Sequence, residues 1–339
     1  MSVGRCIVLL VSMLASWFSH AGAMEELDYF RGKTINYIVA SKPGGGYDIY
    51  ARLIASFMEK YLPETKIRIK NVPGAGGLVA VNRLNVSAPN GLTISTFNTG
   101  VVYSQLLERE GVNFDLGDLS WIGKATSTTR VLVLSARSGF ESLAHMRGAG
   151  EPALFSTSGV GSASYIETIL VTQLLGINSR IVPGYSGNDS QLAMMRGEID
   201  GAIASLSAIR EFTESGHARM LLVVSGDAAL PPGVPLASEL VDTAQAASAF
   251  QLIDTIAGLG RLTAAPPGVP AGRLEVLRNA YKRALQDPAF LSQAAALHLH
   301  IAPAFGDAVA RALDLVLSDA REKRALLTSL VEDKAAPER

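Results

Sequence analysis

Cysteine is almost absent from this chain of 339 residues. The only one, Cys6, lies in an apolar N-terminal leader, so we expect the mature chain to contain neither a disulfide nor a cysteine-ligated metal. Charge is also sparse: Asp, Glu, Lys and Arg make up 18% of the residues, and the formal net charge is -1. Because no block of Lys or Arg occurs, nothing favours binding to nucleic acid or to an anionic membrane surface.

Common catalytic and cofactor-binding motifs are missing as well. Neither glycine pair, at 44–46 or 74–76, has the third glycine of a dinucleotide fingerprint, and no Gly-Lys-Ser/Thr of a phosphate-binding loop occurs. The nucleophile elbow G-x-S-x-G fails at residues 184–188. His298 and His300 have no third ligand nearby in the sequence. We therefore expect no cofactor and no metal site.

The first 23 residues have the composition of a secretory signal. Arg5 supplies a positive start, an apolar run of 13 residues extends from Cys6 to Phe18, and Ala21-Gly22-Ala23 offers a cleavage site. A membrane-spanning helix needs about 20 apolar residues, a length that no later segment approaches. We expect export, cleavage after Ala23 and a mature protein in the periplasm.

Three glycine-rich turns stand out, because each follows a strand pattern and precedes a helix pattern. They occupy residues 41–48 (SKPGGGYD), 73–77 (PGAGG) and 156–162 (STSGVGS). The first N–H groups of a helix have no intrahelical partner, and the helix dipole adds partial positive charge there. Such turns bind anions. Without a catalytic constellation beside them, they indicate a protein that holds a carboxylate and does not transform it.

Strand and helix patterns alternate along both halves of the chain. Strand patterns at 35–40, 67–72 and 92–97 are separated by helix patterns, and the alternation restarts at 131–134. This order predicts parallel sheets in an α/β fold with two lobes that face a ligand cleft. The tail is predicted to be helical, with one continuous run over 308–330.

We expect residues 24–126 and 255–339 to form lobe 1. Residues 127–254 are then expected to form lobe 2, with a hinge between the lobes. Asp48 is expected to cap the helix that follows the first glycine turn.

The order and spacing of these motifs resemble the TctC (Bug) family, the extracytoplasmic solute receptors of tripartite tricarboxylate transporters. The turn at 41–48 is similar to the family's first ligand loop, and Asn71-Val72-Pro73-Gly74-Ala75-Gly76-Gly77 matches its N-x-P-G-A-G-G. Residues 158–162 are similar to its second-lobe glycine loop. The resemblance implies a type II periplasmic-binding-protein fold, closure of two lobes on a solute, and the membrane subunits of a transporter as partners.

The resemblance also implies that backbone amides of the first loop hold one carboxylate, while the third loop contacts the ligand from the opposite lobe. Tyr47 and the pair Ser41-Lys42 depart from the family pattern, and both departures bear on which solute is bound. The residues expected to bind ligand are Ser41, Gly44, Gly45, Gly46, Tyr47, Asn98, Thr99, Thr157, Ser158, Gly159, Gly161, Ser162 and Tyr185.

Two questions stay open at the level of sequence. A tricarboxylate, a dicarboxylate, an amino acid and an aromatic acid all present a carboxylate to the same loop. An exported hydrolase of a carboxylate ester is the alternative to a monomeric, non-enzymatic receptor, because serines recur in the loops at 156–164 and at Ser186. That alternative needs a histidine base, for which His145 and His217 are the candidates.

Overall fold

Two β-sheets flanked by helices form the protein. The computed structural model describes residues 24–185, 188–226 and 233–335. The expected signal peptide, Ser186 and Gly187 of the turn after the strand at 179–183, and the start of the proline-rich loop at 231–235 lie outside these described residues.

The strands and helices alternate in chain order, after a helical segment at residues 24–29. The strands are β1 (Thr34–Val39), β2 (Lys66–Asn71), β3 (Thr93–Phe97), β4 (Ser120–Lys124), β5 (Arg130–Ser135), β6 (Ala153–Thr157), β7 (Ser179–Pro183), β8 (Gly201–Ser205), β9 (Ala218–Ser225), β10 (Leu262–Ala265) and β11 (Ala304–Phe305). The helices are α1 (Gly46–Met58), α2 (Leu78–Asn85), α3 (Gly100–Leu106), α4 (Leu143–Gly148), α5 (Ala163–Leu174), α6 (Asn188–Arg196), α7 (Leu206–Glu214), α8 (Ala244–Ala257), α9 (Ala271–Gln286), α10 (Pro288–Ala296), α11 (Asp307–Leu317) and α12 (Ala320–Ala335).

The first sheet has the order β11-β4-β10-β3-β1-β2, and the second has the order β7-β6-β8-β5-β9. Strands β1, β2 and β3 are parallel, as the βαβαβ pattern predicts. Both sheets are nevertheless mixed, because β10 runs antiparallel to β3 and β4, and β5 runs antiparallel to β8 and β9. The antiparallel strands are an addition that the βαβαβ pattern does not predict, because they arise where the chain crosses between the sheets through β4–β5 and returns through β10.

Apolar side chains at helical spacing fix α1 against the first sheet. Tyr50, Ile54, Phe57 and Met58 are at most 3% exposed and belong to a core that includes residues of β1 and α9. The N-terminus of α1 lies directly after β1 and the first glycine turn. Burial of this helix face therefore determines where its free amides point.

The C-terminal tail differs from the single helix that the pattern at 308–330 predicts. Helix α11 ends at Leu317, Asp319 has a positive φ of 51°, and α12 begins at Ala320. Helix α12 packs against α5 and α8, which flank the second sheet. The break lets α12 leave the direction of α11 and bury its apolar face against those helices.

Two short segments connect the sheets and are hydrogen-bonded to one another. The first, residues 125–129, joins β4 to β5, and the second, residues 258–261, leads from α8 into β10. The N–H of Thr128 donates to the carbonyl of Ala257 (3.0 Å), and the N–H of Ala125 donates to the carbonyl of Arg261 (3.3 Å). Two adjacent crossings of this kind are the usual hinge of a two-lobed protein.

Candidate functional site

The first glycine turn is braced by a buried carboxylate. Gly45 is the N-cap of α1, and Asp48, 2% exposed, lies in its first turn. Asp48 accepts hydrogen bonds from the N–H of Gly44 (2.8 Å), from Nε of Arg52 (2.9 Å) and from Nδ2 of Asn71 (2.8 Å). Burial by itself raises the pKa of Asp48, but these three bonds outweigh it and leave that pKa below its ordinary value. Asp48 thus holds the turn from inside the helix and is not the N-cap residue itself.

The hydrogen bonds of Asp48 and Lys42 occupy two amides of the first glycine turn and leave the next two without an acceptor in the helix. The N–H of Gly44 is occupied by Asp48, and the N–H of Gly45 donates to the carbonyl of Lys42 (3.4 Å). The N–H groups of Gly46 and Tyr47, at the first two positions of α1, have no intrahelical acceptor. Gly46 is exposed. Of the three amides at Gly44–Gly46 that the sequence predicts to bind an anion, those of Gly44 and Gly45 already have acceptors, and that of Gly46 does not have one within the helix.

An arginine that the sequence analysis overlooked lies against the candidate anion cradle, the start of α1 at Gly46 and Tyr47. Arg261 is 8% exposed and has a positive φ of 56°. A Cβ added to Gly46 would lie 3.4 Å from its Nη2 atom. Its guanidinium carbon lies 3.9 Å from the centroid of the Tyr50 ring and 5.2 Å from that of Tyr47. Within the described part of the chain, Nε of Arg261 is buried with no hydrogen-bond partner.

Charges of the second sheet act on the same end of α1. Burial raises the pKa of the Tyr47 hydroxyl, while the charges of Arg261 and of Arg130 on β5 oppose that rise. Nε of Arg130 lies 2.6 Å from Oε2 of Glu167 on α5, in an ion pair whose two side chains are 12% and 1% exposed. Because its pKa is raised, the Tyr47 hydroxyl is neutral at neutral pH and can donate a hydrogen bond.

The second and third glycine turns touch each other across the two sheets. A Cβ on Gly76 would lie 2.6 Å from the carbonyl carbon of Gly161, and one on Gly100 would lie 2.6 Å from the amide nitrogen of Ala163. Asn98 joins the first-sheet side of this contact, because its Nδ2 donates to the carbonyl of Gly76 (2.9 Å) and its Oδ1 accepts from the N–H of Gly100 (2.7 Å). The backbones approach so closely because these positions lack a Cβ.

The third turn uses several of its own donors internally. The N–H of Ser158 donates to Oγ of Ser164 (3.1 Å), and the N–H of Ser162 donates to the carbonyl of Gly159 (3.0 Å). Oγ of Ser162 caps α5 by accepting from the N–H of Tyr165 (3.2 Å). These bonds shape the turn, so an anion here competes with existing acceptors.

Thr157 connects the third turn to Tyr185. Its carbonyl accepts from the N–H groups of Gly184 (2.9 Å) and Tyr185 (3.0 Å), while its buried Oγ1 has no partner within the described residues. A second overlooked arginine, Arg109, packs on Gly161 with a buried Nη1 that likewise has no partner in the described ranges. Two buried polar atoms without a partner in the described ranges, Oγ1 of Thr157 and Nη1 of Arg109, therefore lie at the third turn.

A cavity of about 610 Å³ lies at the hinge between the lobes. Arg261 and Tyr50 line it from the first-sheet side, residues 126–129 line it from the first crossing, and residues 205–207 with Arg210 line it from the end of β8 and from α7. None of the thirteen expected ligand-binding residues lines this cavity, so their role stays a prediction. Another cavity, of about 690 Å³, is lined by Arg109 and by the ends of α3 and α11, away from the first turn.

The serines named for the hydrolase alternative pair with hydroxyls and backbone atoms. Oγ of Ser156 lies 2.6 Å from Oγ of Ser190, and the rings of His145 and His217 pack on Phe140 and Phe212. Oγ of Ser142 accepts from the backbone N–H of His145 (3.1 Å), but in residues 24–185, 188–226 and 233–335 no hydrogen bond joins a serine hydroxyl to a histidine ring. In the same ranges no cluster of His, Cys, Asp and Glu suits a metal ion. No helix in those ranges is long and apolar enough to cross a membrane.

Two α/β lobes, joined by paired crossings and facing each other through glycine turns, define a periplasmic-binding-protein fold. Solved structures agree. MatC from Rhodopseudomonas palustris, with bound malate, is 22% identical with a TM-score of 0.67, covering 88% of this chain and 99% of that one. A second R. palustris protein, solved with adipate, is 18% identical with a TM-score of 0.71, covering 88% and 98%.

The sequence comparisons give the family. The model described as "Tripartite tricarboxylate transporter family receptor" matches residues 50–308, and the chain belongs to that family. A Pseudomonas sp. protein from the tcbD-tcbE intergenic region is 25% identical over 293 residues, which cover 85% of this chain and 84% of the relative. The resemblance inferred from the glycine turns is confirmed.

Proposed function

We propose that this protein is a periplasmic receptor that captures a small organic carboxylate between its lobes and delivers it to the membrane subunits of a tripartite transporter. The observation that carries the proposal is the open N-terminus of α1, where the amides of Gly46 and Tyr47 have no intrahelical acceptor and the Arg261 guanidinium lies beside Gly46. Family membership and the acids bound to two structural neighbours, malate and adipate, support the same class of ligand.

The proposed receptor captures its ligand by closing two lobes on it, without a chemical step. Residues 24–126 and 255–339 would form lobe 1 and residues 127–254 lobe 2, with α12 of lobe 1 lying against lobe 2. Closure excludes water from the cleft, which strengthens each N–H to carboxylate bond. A charge-assisted hydrogen bond contributes about 1.5–3 kcal/mol net. Several such bonds, after the cost of association, correspond to roughly micromolar affinity.

The test is thermal unfolding of the mature chain with a panel of acids. Acetate, malate, adipate, citrate and benzoate are each compared with the matching amide at equal ionic strength. A ligand at a hundredfold excess over its Kd stabilises the folded state by about 2.7 kcal/mol. We expect at least one acid, and none of the amides, to raise Tm.

Gly46→Val locates the site. The new side chain points from the start of α1 towards Arg261 and fills the cradle, so the acid that raises the Tm of the wild type is expected to bind at least about tenfold more weakly. Gly139→Val is the matched control, because a Cβ there meets no atom within 4 Å. A panel that leaves the wild-type Tm unchanged contradicts the receptor function, and an unchanged affinity in Gly46→Val contradicts this position for it.

A further inference from the structure

We propose that Arg261 is the selectivity-determining cation of this receptor, forming two hydrogen bonds with an ionised carboxylate that also accepts from the N-terminus of α1. The inference rests on the proposed function and adds to it a charged side chain from the hinge. It assigns the ligand to organic acids that are bound as anions, with amides and neutral esters rejected.

The position of the guanidinium supports a ligand contact. Arg261 precedes β10 in the second connecting segment, and its carbonyl is fixed by the N–H of Ala125 (3.3 Å). Its guanidinium lies over the Tyr50 ring, whose hydroxyl donates to the carbonyl of His300 (2.8 Å). The plane of the guanidinium is thus held by an aromatic face, which leaves its N–H edge for another partner. Nη2 is near Gly46 at the start of α1.

Arg261 lacks the hydrogen-bond and ion-pair partners that a buried arginine with a purely structural role has. Nε is buried with no hydrogen-bond partner, and no carboxylate in the described ranges lies within ion-pair distance of the side chain. Leaving such a charge buried and unpaired costs free energy, and each unsatisfied buried group in a native protein needs an explanation. A carboxylate that accepts from a guanidinium fork and from backbone amides supplies the missing acceptors.

The charges around Arg261 leave it available for an anion. Glu167 is paired with Arg130, with 2.6 Å between Oε2 and Nε. Glu211 and Glu214 line the far wall of the hinge cavity and are exposed, without an ion pair to Arg261. Asp48 bonds to Gly44, Arg52 and Asn71. The cradle therefore combines a positive helix end with one uncompensated guanidinium, which favours an anionic ligand.

Isothermal titration of the Arg261→Gln and Arg261→Lys variants tests the inference. The probe is the acid of the panel that most stabilises the wild type, together with its amide. Arg261→Gln is expected to weaken acid binding by about 10- to 100-fold, and to leave the Tm without ligand unchanged or higher, because it removes a buried unpaired charge. Arg261→Lys keeps the charge but loses the planar fork, so we expect an intermediate loss.

The ratio of acid affinity to amide affinity separates ligand binding from a structural role. This ratio is expected to fall in Arg261→Gln and to stay at the wild-type value in Arg311→Gln, which removes the same charge from an exposed position on α11. Wild-type affinity in Arg261→Gln, or in Arg261→Lys should the Gln variant not fold, overturns the inference. A wild type that no acid stabilises overturns the proposed function and this inference with it.

Discussion

At the scale of single residues, buried polar groups define the ligand end of α1. Asp48 hydrogen-bonds to the turn, Arg261 lies beside Gly46, and the Tyr47 ring lies 5.2 Å from the guanidinium carbon of Arg261. Asp48 was expected as a cap from its position after the glycines, and that position alone does not reveal that it holds the amide of Gly44. Arg261 had a weaker signal, a lone cation in the apolar run at 256–265.

Asp48→Asn is expected to destabilise the protein in a pH-dependent manner. The folded-state pKa of Asp48 is lowered, so its stabilising contribution is complete above the ordinary value of 3.8 and is lost as pH falls through the lowered value. Urea unfolding at pH 7 should show a loss of about 1–2 kcal/mol.

The difference between Asp48→Asn and the wild type should shrink towards zero as the pH falls from the ordinary value of 3.8 through the lowered pKa of Asp48. Asp28→Asn, which removes a carboxylate paired with Arg31 on the exposed surface, is the control and should change little at any pH. An Asp48→Asn difference that is constant across the titration would refute the role of the charge.

At the scale of elements, the contact between the glycine turns sets how closely the lobes approach. Gly76 and the first residue of α3, Gly100, meet Gly161 and Ala163 at the start of α5. The sequence places glycines in the right turns, but their mutual contact depends on how the second sheet is oriented against the first. That orientation comes from long-range packing of α12 and of the core shared by both sheets.

Gly100→Ala is expected to hold the lobes apart. Its Cβ would lie 2.6 Å from the amide nitrogen of Ala163 and 2.9 Å from the carbonyl oxygen of Gly161, while alanine itself favours helix α3. Titration calorimetry should show an affinity at least about tenfold weaker for the acid found in the panel, since closure then costs more. Gly148→Ala, at the end of α4 where a Cβ meets open space, is the control. Equal affinities in the two variants would mean that the turns do not need to touch for binding.

For the molecule as a whole, we expect the two lobes to close about the paired crossings at 125–129 and 258–261 when an acid binds. Small-angle scattering of the mature chain should give a radius of gyration near 20 Å if it is a monomer, the value for a folded chain of about 316 residues. The acid that raises Tm is expected to reduce this radius, whereas its amide is not. A larger radius that rises with concentration would contradict the monomer, and an unchanged radius at saturation would contradict closure.

The local sequence determined the elements and the class of the protein, because strand and helix patterns and glycine turns depend on neighbours a few residues apart. The parallel βαβαβ unit, the three turns and the family followed from such patterns. Tertiary structure decided the rest. The antiparallel pairing of β4, β10 and β11, the packing of α12 on α5 and α8, and the approach of Arg261 to Gly46 all join residues distant in sequence. No local propensity encodes these contacts, since they form only when burial of both lobes brings the crossings together.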